Sequence, residues 1–273
     1  MPEMIDYLKN RSVVLMAGAR LYTGLTTVVH FNKKTGVPTV YWVEENPASA
    51  VTTSTPSYGY VDLTPKTLQG SVTLPRQLVT LASIDAEADV RGDLGEGHAL
   101  AIDLGSLHGT GTAKQPEGIY SAADVQTKTV GGIPTYAKLT DMPGLLADAN
   151  ADLGNMSFVT TPLMASKMKQ TAVVSAQAIF VWTGNFRDGE MCGFPARATN
   201  QISKTLGTGS DHGIIFGNWT DLVVGMWGND LELVVDPYTL ADKGQIKVTS
   251  YSMADTAIRR GPSFVKALTA VIA

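Results

Sequence analysis

The apolar and polar positions of this chain organise around residues 25–45, LTTVVHFNKKTGVPTVYWVEE. Residues 25–31 and 37–44 are rich in Val, Thr, Tyr, Trp and Phe and predict two strands, with residues 32–36, NKKTG, as the turn between them. In strand geometry Leu25, Val29 and Phe31 point one way, and Val28 and His30 the other. On the return, Val37, Tyr41 and Val43 oppose Val40 and Trp42. Both faces are thus partly apolar, while the tip is hydrophilic and holds Lys33 and Lys34. A two-stranded ribbon alone is marginal in water. The pattern therefore predicts a cover, supplied by its own domain or by a neighbouring subunit.

Ahead of the ribbon, residues 1–24 read as an arm, with a short helix over 4–11, a short strand over 13–16, and punctuation at Gly18 and Gly24. Behind it, residues 46–60, NPASAVTTSTPSYGY, predict an extended connection or edge strand. Residues 61–81 predict strand, turn and strand, with Pro65 and Pro75 at the margins. From Ser83 the period becomes helical: Ile84, Ala88, Gly95, His98 and Ile102 form one row, and Val90, Leu94, Ala101 and Leu104 another. Ser83 is the expected N-cap, Asp85 and Glu87 suit the first turn, and Gly105, Gly109 and Gly111 give the stop. One long helix over about 83–106 follows. Its internal glycines, Gly92, Gly95 and Gly97, each cost about 1 kcal/mol of helix propensity, which packing must offset.

Further on, residues 108–121 predict a loop, 138–154 a helix interrupted by Pro143, 158–161 a strand and 163–170 a short helix. Residues 178–182 predict a buried strand, 185–193 a turn, and Gly193 the start of another extended piece. A polar loop over 207–213 precedes strands at 214–216, 222–227 and 231–235. A long alternating strand over 245–257 and an apolar segment over 262–270 close the chain. Strands and helices without regular βαβ repetition predict an α+β fold.

Composition narrows the function classes. Charged residues make up 17% of the 273, low against a typical quarter, as expected when surface is buried against other chains. A net charge of −4 and a pI near 5.6 argue against a dedicated nucleic-acid binder. The single cysteine, Cys192, excludes an internal disulfide framework and a multi-cysteine metal site. There is no signal-peptide pattern and no apolar run long enough to span a bilayer.

Candidate chemistry is sparse. Gly109-Thr110-Gly111 hints at a phosphate loop, but the position of the required third glycine is Lys114, and the loop follows a helix where such motifs open one. Ser210-Asp211-His212 has triad residue types, yet chain neighbours do not converge as a triad requires. The four histidines, His30, His98, His108 and His212, show no metal-ligand pairing. Cys192 is a nucleophile in one reading and, more ordinarily, a small buried apolar residue. Glu44 and Glu45, as strand neighbours, point to opposite faces and form no acid/base pair. Lys33 and Lys34 are either solvated edge charges or contacts to an acidic patch on another chain. No catalytic, cofactor or metal constellation emerges. A ribbon, an arm and a low-charge surface remain, and together they point to assembly.

In combination these features resemble a known family. The order is arm, ribbon ending VYWVEE, polar crossover, TPKTLQGSVTLPRQLV, long helix, and a Gly-Thr-Gly loop running into QPEGIYS. Then come CGFPARAT, IIFGNW and QIKVTSYSMADTAIRRGPSFVKA. Over essentially its whole length the chain resembles the tailed-bacteriophage major capsid proteins of the Hong Kong 97 fold. Most specific are Gln115-Pro116-x-Gly118-Ile119, Gly193-x-Pro195, Phe216-Gly217 and Gly261-Pro262-x-Phe264.

The resemblance implies an N-arm at 1–24, an extended E-loop at 25–62 and a peripheral domain at 63–115 with its spine helix at 83–106. It implies an axial domain at 116–245 and, at 246–273, the peripheral domain's closing strand and the C-terminus. It further implies pentamers and hexamers that build an icosahedral head around packaged double-stranded DNA, assembled in the host bacterial cytoplasm. Portal, scaffold and maturation protease are the implied partners, with a decoration protein in some relatives; no cofactor, enzymatic activity or membrane is implied. The inter-subunit contact candidates are Lys33, Lys34, Tyr41, Trp42, Glu44 and Glu45. Two alternatives stay open at this point: an encapsulin-like nanocompartment shell, and a soluble hydrolase using Cys192 or His212.

Some members crosslink an E-loop lysine to a neighbour's asparagine, with a glutamate as base. Lys33 or Lys34 would supply the lysine. The family pattern laid on the closing strand puts Gln245 at the asparagine position and Ser252 at the glutamate position, with no Glu beyond Gln245. No autocatalytic crosslink is therefore expected. Many relatives also carry a helical scaffolding segment ahead of the arm. Its absence before Met1 implies either a longer precursor trimmed by protease or a separate scaffold.

Overall fold

The computed structural model describes residues 12–45, 50, 52–81, 86–112, 114–174, 179–207 and 209–272. In chain order the elements are α1 (Val14–Ala17), β1 (Arg20–Leu25), β2 (Val29–Lys34), β3 (Tyr58–Leu63), β4 (Lys66–Pro75), α2 (Arg76–Leu81) and α3 (Ala86–His108). There follow β5 (Gln126–Gly132), α4 (Tyr136–Asp148), β6 (Met156–Thr160), α5 (Pro162–Met168), β7 (Trp182–Gly184), β8 (Gly189–Met191) and β9 (Phe194–Ala198). The last are β10 (Ile214–Asn218), β11 (Leu222–Asp236), β12 (Gln245–Ile258) and β13 (Phe264–Ala270). They form a four-stranded sheet in the order β1-β11-β12-β4, a seven-stranded sheet in the order β5-β13-β10-β6-β9-β8-β7, and the separate ribbon β2-β3.

The long helical period is realised in α3, which lays Leu94 and His98 against β4 and β12, where Leu74 and Val248 complete a small core. His98 is a satisfied core residue: Nδ1 meets Ser252 Oγ at 2.6 Å and Nε2 meets Ser250 Oγ at 2.8 Å. The α3 C-terminus abuts a close backbone return. Gly118 N–H donates to Gly109 O at 2.9 Å, and a Cβ on Gly118 would lie 2.5 Å from the Gly109 nitrogen. The glycines of this loop thus serve backbone packing. The seven-stranded sheet and helices α4 and α5 enclose Leu139, Met142, Leu146, Phe158, Met164 and Phe216. A second core joins the two sheets through Leu107, Ile119, Ile215, Trp219, Leu222 and Phe264.

The structure corrects several sequence expectations. Residues 37–44 form no strand; β2 pairs instead with β3, from Val29↔Leu63 to Lys34↔Tyr58. Among the described residues, the apolar β-formers at 37–44 have no partner strand or covering core, so propensity alone does not fold them. Residues 14–16 lie in α1, with Val13 at its N-cap, because Asp103 caps that turn, and residues 76–81 continue β4 as helix α2. Residues 179–182 are not a buried strand throughout: Ile179 and Phe180 are exposed, Val181 and Trp182 are buried, and β7 begins at Trp182, while residue 178 lies outside the described residues. Sheet membership cuts across the division at 245/246, since β11 lies in the four-stranded sheet and β13 in the seven-stranded one. Strand β11 is recruited by antiparallel pairing with β12, and β13 by pairing with β10 and β5. Strands β1 and β5 have no counterpart among the sequence expectations, and β8 falls within residues 185–193, expected as a turn. The helix expected over 4–11 and the Ser83 cap lie outside the described residues.

Candidate assembly surface

The surface that matters most is held at its base by buried polar anchors. Asp255, 3% exposed, accepts from Thr64 N–H at 2.9 Å and pairs with Lys66 Nζ at 2.7 Å, fixing the corner between β3 and β4. Trp227 Nε1 donates to Thr27 O at 2.8 Å, tying the entry to β2 onto β11. The inward face of the ribbon, Val29, Phe31 and Val61, packs with Leu63 on Val223, Trp227 and Ala257. The outward face is polar, and His30 Nδ1 meets Asp62 Oδ1 at 2.5 Å beside Tyr60.

Beyond Lys34 the chain leaves the body. Thr35 and Gly36 N–H donate to Ser57 O at 2.8 and 3.1 Å, and Thr39 N–H donates to Ser54 Oγ at 2.9 Å, so the two arms of the loop start out side by side. Past that point the side chains are bare. Val37 is 78% exposed, Val40 90%, Trp42 104% and Val43 57%, with Tyr41 at 49%. Glu44 and Glu45 follow, both exposed. They sit in irregular chain with a bend at Glu45, so strand alternation does not hold them on opposite faces.

Lys33 and Lys34 are not at the tip. They occupy the last two positions of β2, where Lys33 turns toward its own chain, 3.9 Å from Asp124, and Lys34 is exposed. Together with Arg259 and Arg260 they line a groove of about 310 Å³ bordered by residues 149–151, and no carboxylate lines it. The Arg259 guanidinium lies over the Phe31 ring, 5.9 Å from its centre. The adjacent arginines in AIRRGP were the available signal for this groove, but only the fold brings them to Lys33 and Lys34.

The arm is secured from α3. Asp103 Oδ1 accepts from Val13 N–H at 3.0 Å, Val14 N–H at 2.8 Å and Ser12 Oγ at 2.9 Å, which caps α1 from another helix. Burial raises the Asp103 carboxyl, opposed by these hydrogen bonds, and Asp103 Oδ2 has no partner among the described residues.

The residues considered for catalysis are not brought together as a site. Burial pushes the Cys192 thiol up to about 11, and Cys192 packs against the main core. His212 is buried with its Nδ1 2.7 Å from Thr161 Oγ1. Among the described residues, no three His, Cys, Asp or Glu side chains cluster as a metal site, and no helix is long and apolar enough to cross a membrane.

Comparison with known proteins places this geometry. Residues 1–268 match the phage capsid family. The major capsid protein of Halomonas phage phiHAP-1 is 28% identical over 262 residues, covering 95% of this chain; the chain spans 41% of that protein's length. Among solved structures, the capsid of a native GTA particle computed with C5 symmetry superposes with a TM-score of 0.75 at 15% identity, covering 99% of this chain and 94% of that one. Structures from Microbacterium phage Oxtober96 (TM-score 0.74, 13% identity, 99% and 95% covered) and Mycobacterium phage Ogopogo (0.75, 14%, 98% and 94%) share the same fold.

Proposed function

The chain belongs to the phage capsid family and has the Hong Kong 97-type fold, and from that premise we propose that it is a major capsid protein. Its copies assemble as pentamers and hexamers into an icosahedral head around packaged double-stranded DNA. It acts as a structural shell of the virion and not as an enzyme.

One observation carries this reading. Within residues 37–45, Val37 and the run at 40–43 present large apolar side chains, up to the fully bare Trp42, that no described residue of their own chain covers. Exposed patches of this kind mark interaction sites. In a shell, the loop at 25–62 acts as the E-loop and lies over the peripheral domain of a neighbour. Tyr41 and Trp42 supply the apolar part of that contact, and Lys34, Glu44 and Glu45 the charged part. Residues 12–24, pinned by Asp103 and paired through β1 with β11, anchor the base of the N-arm on its own chain. The peripheral domain consists of 63–115 with β11 and β12. The axial domain is the seven-stranded sheet with its helices. Assembly in the host cytoplasm uses a portal, a scaffold and a maturation protease, with or without a decoration protein.

No autocatalytic crosslink forms in this proposal. Lys33 and Lys34 sit at the loop base, and Ser252, at the position where a glutamate base is expected, is engaged with His98. The test is negative-stain microscopy and light scattering of the purified protein. Closed particles tens of nanometres across support the proposal; a stable monomer at high concentration refutes it. Boiled denaturing gels of particles should show a single monomer band, and ladders would refute the crosslink part alone.

A further inference from the structure

We propose that the groove formed by Lys33, Lys34, Arg259 and Arg260 receives the Glu44-Glu45 pair from the loop of a second copy of this chain. This rests on the shell-protein reading and specifies its docking partner.

Three observations carry it. The groove concentrates four cationic side chains, no carboxylate lines it, and its nearest ion partner is Asp124, 3.9 Å from Lys33 and more than half exposed. Cations held this close repel one another, so an incoming anion is favoured. The second observation is the pair itself. Glu44 and Glu45 are exposed, sit at a bend where both carboxylates can be offered together, and make no ion pair among the described residues. The third is covalent placement. The pair directly follows the bare stripe Val40–Val43, so a contact that buries the stripe carries the carboxylates with it. Glu44 lies ten positions beyond Lys34, a reach of about 33 Å when extended, which suits a neighbouring copy.

The geometry has a symmetry consequence. Donor and acceptor are different surfaces of one chain, so the contact is heterologous and propagates head to tail around a ring. Each subunit gives one loop end and receives one.

Charge reversal tests this. The loop variant Glu44→Lys/Glu45→Lys and the groove variant Lys33→Glu/Lys34→Glu/Arg259→Glu/Arg260→Glu, which reverses all four groove charges, should each lower particle yield about tenfold or more, with the protomer's circular dichroism unchanged. The chain carrying both sets of reversals should recover particles. Mixing the two variants should restore rings only where the types alternate. Even-membered hexamers and hexameric sheets or tubes should form, while five-membered rings and closed shells should not. If the wild type forms shells but neither the combined reversal nor the mixture recovers assembly, the pairing is wrong and the shell reading stands. If the wild type itself never assembles, the shell reading fails first. If either variant assembles at wild-type yield, the groove is not the acceptor.

Discussion

Replacing Asp255 with Ala removes the carboxylate that fixes the base of the loop. Asp255 is 3% exposed and Lys66 16%, with 2.7 Å between Oδ1 and Nζ. The variant leaves a nearly buried ammonium and the Thr64 N–H without their acceptor. Breaking a buried pair from one side costs about 3–5 kcal/mol, much of it the penalty of the stranded charge. That corresponds to a fall in melting temperature of about 10 °C for a chain of this size. The assay is urea denaturation of the unassembled protomer, with the closed cycle of Asp255→Leu, Lys66→Met and Asp255→Leu/Lys66→Met run beside Asp255→Ala. The double variant replaces both charges with apolar groups and should recover most of the loss, because no charge is left uncompensated. A cost below about 1 kcal/mol for Asp255→Ala, or a double variant no better than the sum of its parts, would refute the reasoning.

Three further outcomes follow from the same physics. Burial lowers the proton affinity of His98, His108 and His212 from the ordinary imidazole value of 6.5, so the unfolded chain binds more protons than the native one as pH falls below that value. Native stability is then fully present above about pH 6.5 and declines toward the depressed folded values; a melting temperature that rises between pH 7.5 and 5.5 would contradict this. Trp42→Ala should leave the protomer's circular dichroism and melting unchanged while weakening assembly by about 2–4 kcal/mol per contact, read as a higher critical concentration; unchanged assembly would remove Trp42 from the interface. Asp103→Ala should destabilise by about 1–2 kcal/mol through loss of the cap on α1, and faster proteolysis near residue 12 is the accompanying readout; an unaltered cleavage rate would count against the anchor.

The elements legible in the sequence are those whose own periodicity meets a core in the same chain. The rows through Leu94, His98 and Ile102 gave α3, and alternation gave β12 and the apolar run β10, because each packs where its pattern says. Strand β1 escaped because five of its six residues are exposed, and its place depends on parallel backbone pairing with β11. The ribbon was read with the wrong partner for the opposite reason. Residues 37–44 have strand chemistry but no strand beside them among the described residues, while the true return, β3, hides in a polar stretch as YGYVDL. Chemistry suited to burial, found without burial, marks an interaction surface. Of the contact candidates, Tyr41, Trp42, Glu44 and Glu45 are presented outward, whereas Lys33 and Lys34 belong to the base. Their association with Arg259 and Arg260 joins segments more than two hundred residues apart, which no local pattern encodes.

The central claim is that this chain is a shell subunit whose loop is completed by its neighbour. An electron cryomicroscopy reconstruction of the assembled particle tests it most directly. The account predicts icosahedral symmetry built from five- and six-membered rings, with density for residues 37–45 lying on an adjacent subunit and Trp42 buried there. Residues 37–45 folded back on their own chain, or left bare in the assembled state, would contradict it.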